Sequence, residues 1–133
     1  MRYNKITENS KTEIINPDVF EDHRGTIFSF PINDNLTEYN LMITKKGDAR
    51  GYHYHPEFNE FMMVVTGRCE YTEFVKFGED VTITLEVGDS IRIPLGTSHR
   101  FVALEDYSFV SMLTKHWDAC EHPIIKVDSD GKV

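Results

Sequence analysis

The segment R-G-Y-H-Y-H-P-E-F-N-E, residues 50–60, sets His53 and His55 one residue apart and places Glu60 five residues after the second. Two imidazoles and a carboxylate are suitable ligands for a divalent transition metal, and they leave coordination positions for water or substrate. The same groups also make an acid/base pair near neutral pH. A third reading is two neighbouring surface histidines, since the chain has six. On a β-strand, alternate side chains share a face, so His53 and His55 project together about 6 to 7 Å apart while Tyr52 and Tyr54 point the other way. P-E-F-N then turns the chain into E-F-M-M-V-V-T, where Glu60, Met62, Val64 and Thr66 share a face. If that face is interior, Glu60 lies beside the histidines.

The elements that position these residues read as strands. Short runs rich in Val, Ile, Thr, Tyr and Phe recur at 27–31, 39–44, 50–55, 60–66, 69–76, 81–86, 90–93, 99–102 and 107–113. Glycine, proline and Asx turn signals separate them, the pattern of a sandwich or barrel. A single turn of helix is expected near 115–120, and residues 1–12 and 128–133 read as frayed or recruited into a dimer contact. The 133 residues, 40% hydrophobic, fit one domain with one core. The net charge of −8 excludes a general nucleic-acid binder. No run of about 18 apolar residues or secretory leader is present, so a cytoplasmic chain with no membrane partner is expected. Cys69 and Cys120 lack metal-site spacing and read as reduced thiols.

A second cluster, G-D-S-I-R-I-P-L-G-T-S-H, runs from Gly88 through Pro94 and Gly96 to His99 as strand, tight turn and strand. Together with the first stretch it resembles the paired motifs of the cupin superfamily. Motif 1 spans 47–67, from Gly47 through His53, His55 and Glu60 to Gly67; motif 2 spans 88–99. Ala103 stands where the family pattern often has Asn. The resemblance implies an all-β, single-domain, double-sheet jelly-roll barrel over 1–133. It also implies that His53, His55, Glu60 and His99 converge on one divalent transition metal (Zn, Fe, Mn or Ni), and that the protein is a homodimer paired through an N-terminal strand.

Three further stretches are similar to cupins that epimerise or isomerise nucleotide-linked keto sugars: D-H-R-G at 22–25, R-G-Y-H-Y-H at 50–55 and H-Y-H-P-E-F-N-E-F at 53–61. That resemblance implies an isomerase of polysaccharide or glycoconjugate synthesis, acting by proton abstraction beside a carbonyl. His53 and His55 take the catalytic positions and Arg50 the substrate-anchoring one. Tyr39, Tyr54 and His116 are candidates for returning the proton. Arg92 and Lys45 are candidates, with Arg50, for holding a phosphate-bearing nucleotide sugar. Sugar-modifying cupins generally work without metal and lack an equivalent of Glu60, so metal catalysis and simple acid/base catalysis both follow from this pattern. A metal-dependent oxygenase or lyase, or a non-catalytic small-ligand cupin, are the competing functions.

Overall fold

A computed structural model describes residues 2–133. Period-2 alternation of β-branched and aromatic residues with polar ones forms thirteen strands among the described residues. They are β1 (Tyr3–Lys5), β2 (Glu13–Ile15), β3 (Asp18–Asp22), β4 (Gly25–Ser29), β5 (Glu38–Thr44), β6 (Ala49–Tyr54) and β7 (Glu60–Thr66). These continue with β8 (Arg68–Glu73), β9 (Val81–Glu86), β10 (Ser90–Ile93), β11 (His99–Ala103), β12 (Tyr107–Leu113) and β13 (Ile125–Lys126). The expected helical turn is a 3-10 turn at Trp117–Ala119. Two antiparallel sheets, ordered β1-β2-β10-β7-β12-β5 and β13-β6-β11-β8-β9, enclose the core, and β3 and β4 form a separate hairpin. This is the expected all-β cupin architecture.

Met62 and Val64 from β7, Ile91 and Ile93 from β10 and Phe109 from β12 pack against Tyr71, Leu85 and Phe101 of the other sheet. Burial pushes the Cys69 thiol up to about 12, against the relief of its hydrogen bond with Tyr107, so this cysteine acts as a core residue.

The N-terminal segment differs from the expectation of frayed ends. β1 pairs with β2 and β2 with β10, while Ser10 and Thr12 are buried. The reason is a buried carboxylate: Glu73 accepts hydrogen bonds from the Lys11 and Thr12 amides (2.9 and 2.8 Å) and from Thr12 Oγ1 (2.6 Å). Strands as short as β1 and β2 carry no readable period, which is why the sequence reading passed over them. At the other end, β13 adds to the edge of β6, and the Asp128 amide donates to the Lys132 carbonyl.

Gly67 makes the sharp β7–β8 turn at φ +74°, where a Cβ would lie 2.3 Å from the Asp106 carbonyl oxygen and 2.7 Å from Tyr107 Cβ. Backbone and a buried aromatic cannot yield cheaply, so Gly67→Ala should destabilise the fold by about 2 kcal/mol or more. Thermal denaturation of the purified variant checks this; a melting temperature equal to wild type would contradict it.

Candidate functional site

The site begins with a bulge. Along the β6–β11 pair, His99 opposes His53 and Arg100 opposes Gly51, so Tyr52 is an extra residue on β6. Gly51 has φ 109° and Tyr52 φ 55°, the one positive-φ non-glycine residue among those described. A side chain at Gly51 would meet Arg100 Cα at 2.7 Å and the His99 carbonyl oxygen at 2.8 Å, so only glycine permits this close strand approach. Tyr52 is held outward by stacking on Phe74 (6.0 Å) with the Arg100 guanidinium 5.9 Å above its ring. The bulge leaves His53 directly across from His99, and opposed residues of an antiparallel pair share a face.

The three imidazoles therefore meet. Ring centroids lie 4.6 Å apart for His53 and His55, 5.0 Å for His53 and His99, and 5.4 Å for His55 and His99. One nitrogen from each lies within 4.8 Å of the others. Glu60 arrives from the opposite sheet, with Oε1 3.2 Å from His55 Nε2 and 3.8 Å from His99 Nε2. Ser111 on β12 donates to Glu60 Oε2 at 2.6 Å. Backbone carbonyls orient two of the rings: His99 Nδ1 bonds the Thr97 carbonyl (2.8 Å) and His55 Nδ1 the Pro123 carbonyl (3.0 Å). These contacts direct both Nε2 atoms inward.

The electrostatics separate the histidines. Burial, with the charges of His99 and His55 adding to it, lowers the His53 pKa to about 3 despite Glu60, so His53 is neutral at physiological pH. Burial also opposes the charged form of His55, but the Glu60 hydrogen bond and charge and the Pro123 carbonyl outweigh it and raise its pKa. Burial of Glu60 is likewise overcome by His55, His99 and Ser111, and its carboxyl stays below the ordinary range. His99, wholly buried, is shifted down by desolvation against the pull of Glu60.

This donor set fits a divalent cation. His99 Nε2 is buried with no hydrogen-bond partner, an arrangement that costs about 1–3 kcal/mol unless something occupies it. Both His55 nitrogens face acceptors, a carbonyl and a carboxylate, an arrangement that suits a ring carrying two protons or a His55 and Glu60 that would together hold a cation.

A cavity of about 340 Å³ opens onto the cluster and is closed at one side by Phe58, stacked 4.4 Å from His55, and by Trp117. Of the expected site residues, His53, His55, Glu60, His99 and Arg50 line it. Arg50 is anchored to β5 through Nε to Thr44 Oγ1 (2.7 Å) and Nη2 to the Ile43 carbonyl (3.0 Å).

The others are elsewhere. Tyr54 alternates away from the histidines and lines a separate cavity with Phe74 and Gly96. Arg92 lies between Ile91 and Ile93, which take the inner face of β10. It points outward to Glu13 (2.8 Å) and Asp34 (3.2 Å). Lys45 is exposed in the turn after β5 and does not line the cavity. Tyr39 is 80% exposed on the outer face of β5, and His116 lies outside near Glu38, 3.7 Å away. Sequence reasoning missed Ser111, Phe58, Asn40 and Trp117 as cavity residues. Ser111 carried a readable signal: it is a polar residue in register with Phe109 and Leu113 on the buried face of β12.

Residues 40–113 match the cupin domain family. No curated protein matches the chain in sequence. Among solved structures, a 3,4-ketoisomerase from Helicobacter canadensis superposes with a TM-score of 0.77 at 20% identity, covering 91% of this chain and 93% of its own. A dTDP-4-dehydrorhamnose 3,5-epimerase from Sulfolobus tokodaii gives 0.72 at 25% identity, over 98% and 93%. A 3'-monoepimerase from Streptomyces bikiniensis, in complex with dTDP-quinovose, gives 0.81 at 15% identity, over 95% and 74%. With the family match spanning more than half of its length, and with both motifs meeting at one cavity between two antiparallel sheets, the chain belongs to the cupin domain family.

Proposed function

We propose that this cupin is a sugar-nucleotide isomerase, an epimerase or ketoisomerase that moves a proton beside the carbonyl of a nucleotide-linked keto sugar. The observation that carries the reading is the opposed shift of two neighbouring histidines that line one cavity, the His53 pKa lowered to about 3 by burial and that of His55 raised by Glu60. Titratable neighbours whose environments push their pKa values apart divide the acid and base roles between them. His53 is the acceptor for the carbon-bound proton, and His55, backed by Glu60 and Ser111, is the donor to the carbonyl oxygen. Arg50 at the cavity wall is suited to a phosphate or carboxylate of the substrate. Two of the similar structures, the 3'-monoepimerase in complex with dTDP-quinovose and the dTDP-4-dehydrorhamnose 3,5-epimerase, support a nucleotide sugar here.

His53, His55 and His99, with Glu60, would hold one divalent transition ion, and such an ion, when bound, supplies Lewis-acid polarisation of a carbonyl. Three clustered imidazoles also suit a metal-dependent oxygenase or lyase, the second reading.

A homodimer is part of the proposal. The β3–β4 hairpin exposes Val19 (57%), Phe20 (56%), Ile27 (59%) and Phe28 (41%), and an isolated two-stranded hairpin is marginal in water unless something covers it. Light scattering should give twice the chain mass, and Phe20→Glu with Ile27→Glu should give the monomer; a monomeric wild type would refute this.

Incubation with nucleotide-linked 4-keto-6-deoxy sugars in deuterated buffer should place deuterium in the sugar ring. His53→Gln should slow this by about 100-fold or more. Oxygen uptake with Fe(II) and no exchange would favour the second reading instead.

The pKa shifts also set acid stability. His53 and His99 have folded pKa values below their unfolded ones, so between about pH 6.5 and 3 the unfolded chain binds more protons and stability falls on acidification. Glu60 adds to the loss as pH drops through its unfolded value of 4.5. His55 has the opposite sign: its contribution is complete below pH 6.5 and is lost only as pH rises through its raised folded value. Chelator-treated protein should therefore melt at falling temperature from pH 7 to 4, and His53→Gln should flatten the slope by up to about 1.4 kcal/mol per pH unit. An unchanged slope would contradict the burial of a neutral His53.

A further inference from the structure

A second cavity, of about 750 Å³, shares no lining residue with the histidine cavity. Four segments meet at it: the chain before β2 at Asn9 and Lys11, the end of β8 with its loop at 73–77, the turn at 96–98 and the C-terminal residues 130–133. Hydrogen bonds to the backbone fix each wall. Glu73 accepts from the Lys11 amide (2.9 Å), the Ser98 carbonyl from the Phe74 amide (2.9 Å), and Asp80 Oδ1 from the Val75 amide (3.1 Å). Asp128 Oδ1 accepts from the Asp130 and Lys132 amides, each at 2.9 Å, and so curls the last residues into the wall. The cavity is built by the fold and needs no rearrangement to receive a ligand.

Its lining is rich in ammonium groups, although the chain carries a net charge of −8. Lys11, Lys76 and Lys132 line it, and none of the three is in an ion pair among the described residues. Two carboxylates share the lining. One of them, Glu73, is already occupied by the Lys11 and Thr12 amides and the Thr12 hydroxyl, which leaves Asp130. A second, independent observation comes from Thr97. This residue lines the cavity and is 2% exposed, yet its Oγ1 is buried with no hydrogen-bond partner, a state that is costly unless a ligand group meets it. Aromatic surface completes the lining: Tyr54, and Phe77, which is 79% exposed with the Lys76 ammonium 5.4 Å from its ring centre.

We infer that this cavity is a binding site for a phosphorylated small molecule with an aromatic or other apolar portion, separate from the histidine site. Lysine serves phosphate as a point charge, and a phosphate monoester brings about two negative charges near neutral pH, more than the single charge of a carboxylate. The Thr97 hydroxyl donates to a phosphate oxygen, and Phe77 gains the cover it lacks from the apolar portion of the ligand. The inference does not depend on the reaction performed at the histidines. The two sites nevertheless share a wall, because the Gly96 amide donates to the His55 carbonyl (2.8 Å) and the Thr97 carbonyl orients His99 through Nδ1 (2.8 Å). The turn that grips the phosphate is thus the turn that aims His99.

The test is titration of the chelator-treated full chain with phenyl phosphate and with inorganic phosphate, followed by calorimetry and by amide nuclear magnetic resonance. Phenyl phosphate should bind one equivalent, shift the Lys76, Thr97, Ser98 and Lys132 amides, and weaken as salt is raised. Absence of binding, or shifts centred on Arg50 and Trp117 instead, would overturn the inference. Combined replacement Lys11→Gln, Lys76→Gln and Lys132→Gln, all at positions where the side chain makes no ion pair, should lower the affinity about tenfold or more. Unchanged affinity in that folded variant would overturn the role of the lysines. Inorganic phosphate should bind more weakly than phenyl phosphate by about threefold or more, and Phe77→Ala should remove the difference. Equal affinity of the wild-type chain for the two probes would overturn the apolar portion of the ligand.

Discussion

The structure depends on a carboxylate that has been taken out of water. Glu60 is 7% exposed between two sheets, and an ionised carboxylate is tolerated there only with matched charge and hydrogen bonds. Its partners come from several strands. His55 follows β6, His99 opens β11, and Ser111 sits on β12, the neighbour of β7 that carries Glu60 itself. The charge therefore couples the two sheets at the point where the cavity opens, and closing the barrel and building the site are one event. Removing any one partner would leave buried charge uncompensated, a larger penalty than the loss of one hydrogen bond.

A second buried carboxylate shows how differently the same residue type can be used. Glu73 is 2% exposed, and backbone amides and a threonine hydroxyl satisfy it; that hydroxyl contacts Tyr71 at 2.6 Å. Tyr71 in turn stacks on His99 at 6.0 Å. No titrating partner is hydrogen-bonded to Glu73, and it fastens the N-terminal segment to β8. Glu60, by contrast, faces two imidazoles and a cavity, so its charge is available to chemistry.

The strain in the site is local. Gly51 and Tyr52 adopt left-handed backbone beside His53, and the cost of a non-glycine residue there, of order 1–3 kcal/mol, is offset by the Phe74 stack and the Arg100 contact. Without the extra residue at Tyr52, the register after the bulge would slip by one, and His53 and His55 would turn to the opposite face. The bulge is thus what aims the histidines.

Much of this was legible from residue order alone. The period-2 runs specified nine of the strands and the turns between them, because side-chain alternation is a local property of extended backbone. The spacing of His53, His55, Glu60 and His99 in two motifs identified the cluster, and the same alternation placed Tyr54 opposite the histidines. What local order could not specify was anything fixed by pairing across the chain. The short β2 and β13 are held by β10 and β6, partners far away in sequence, and β1 is held in turn by β2. Arg92 was indistinguishable from a substrate ligand until Ile91 and Ile93 were seen to occupy the inner face of β10, leaving it to Glu13 and Asp34. The opposed pKa shifts of His53 and His55 likewise arose only on folding. A side chain's burial and its neighbours' charges, which set its pKa, are properties of the closed barrel; the sequence determines which groups are present, and the tertiary structure decides which of them holds the proton.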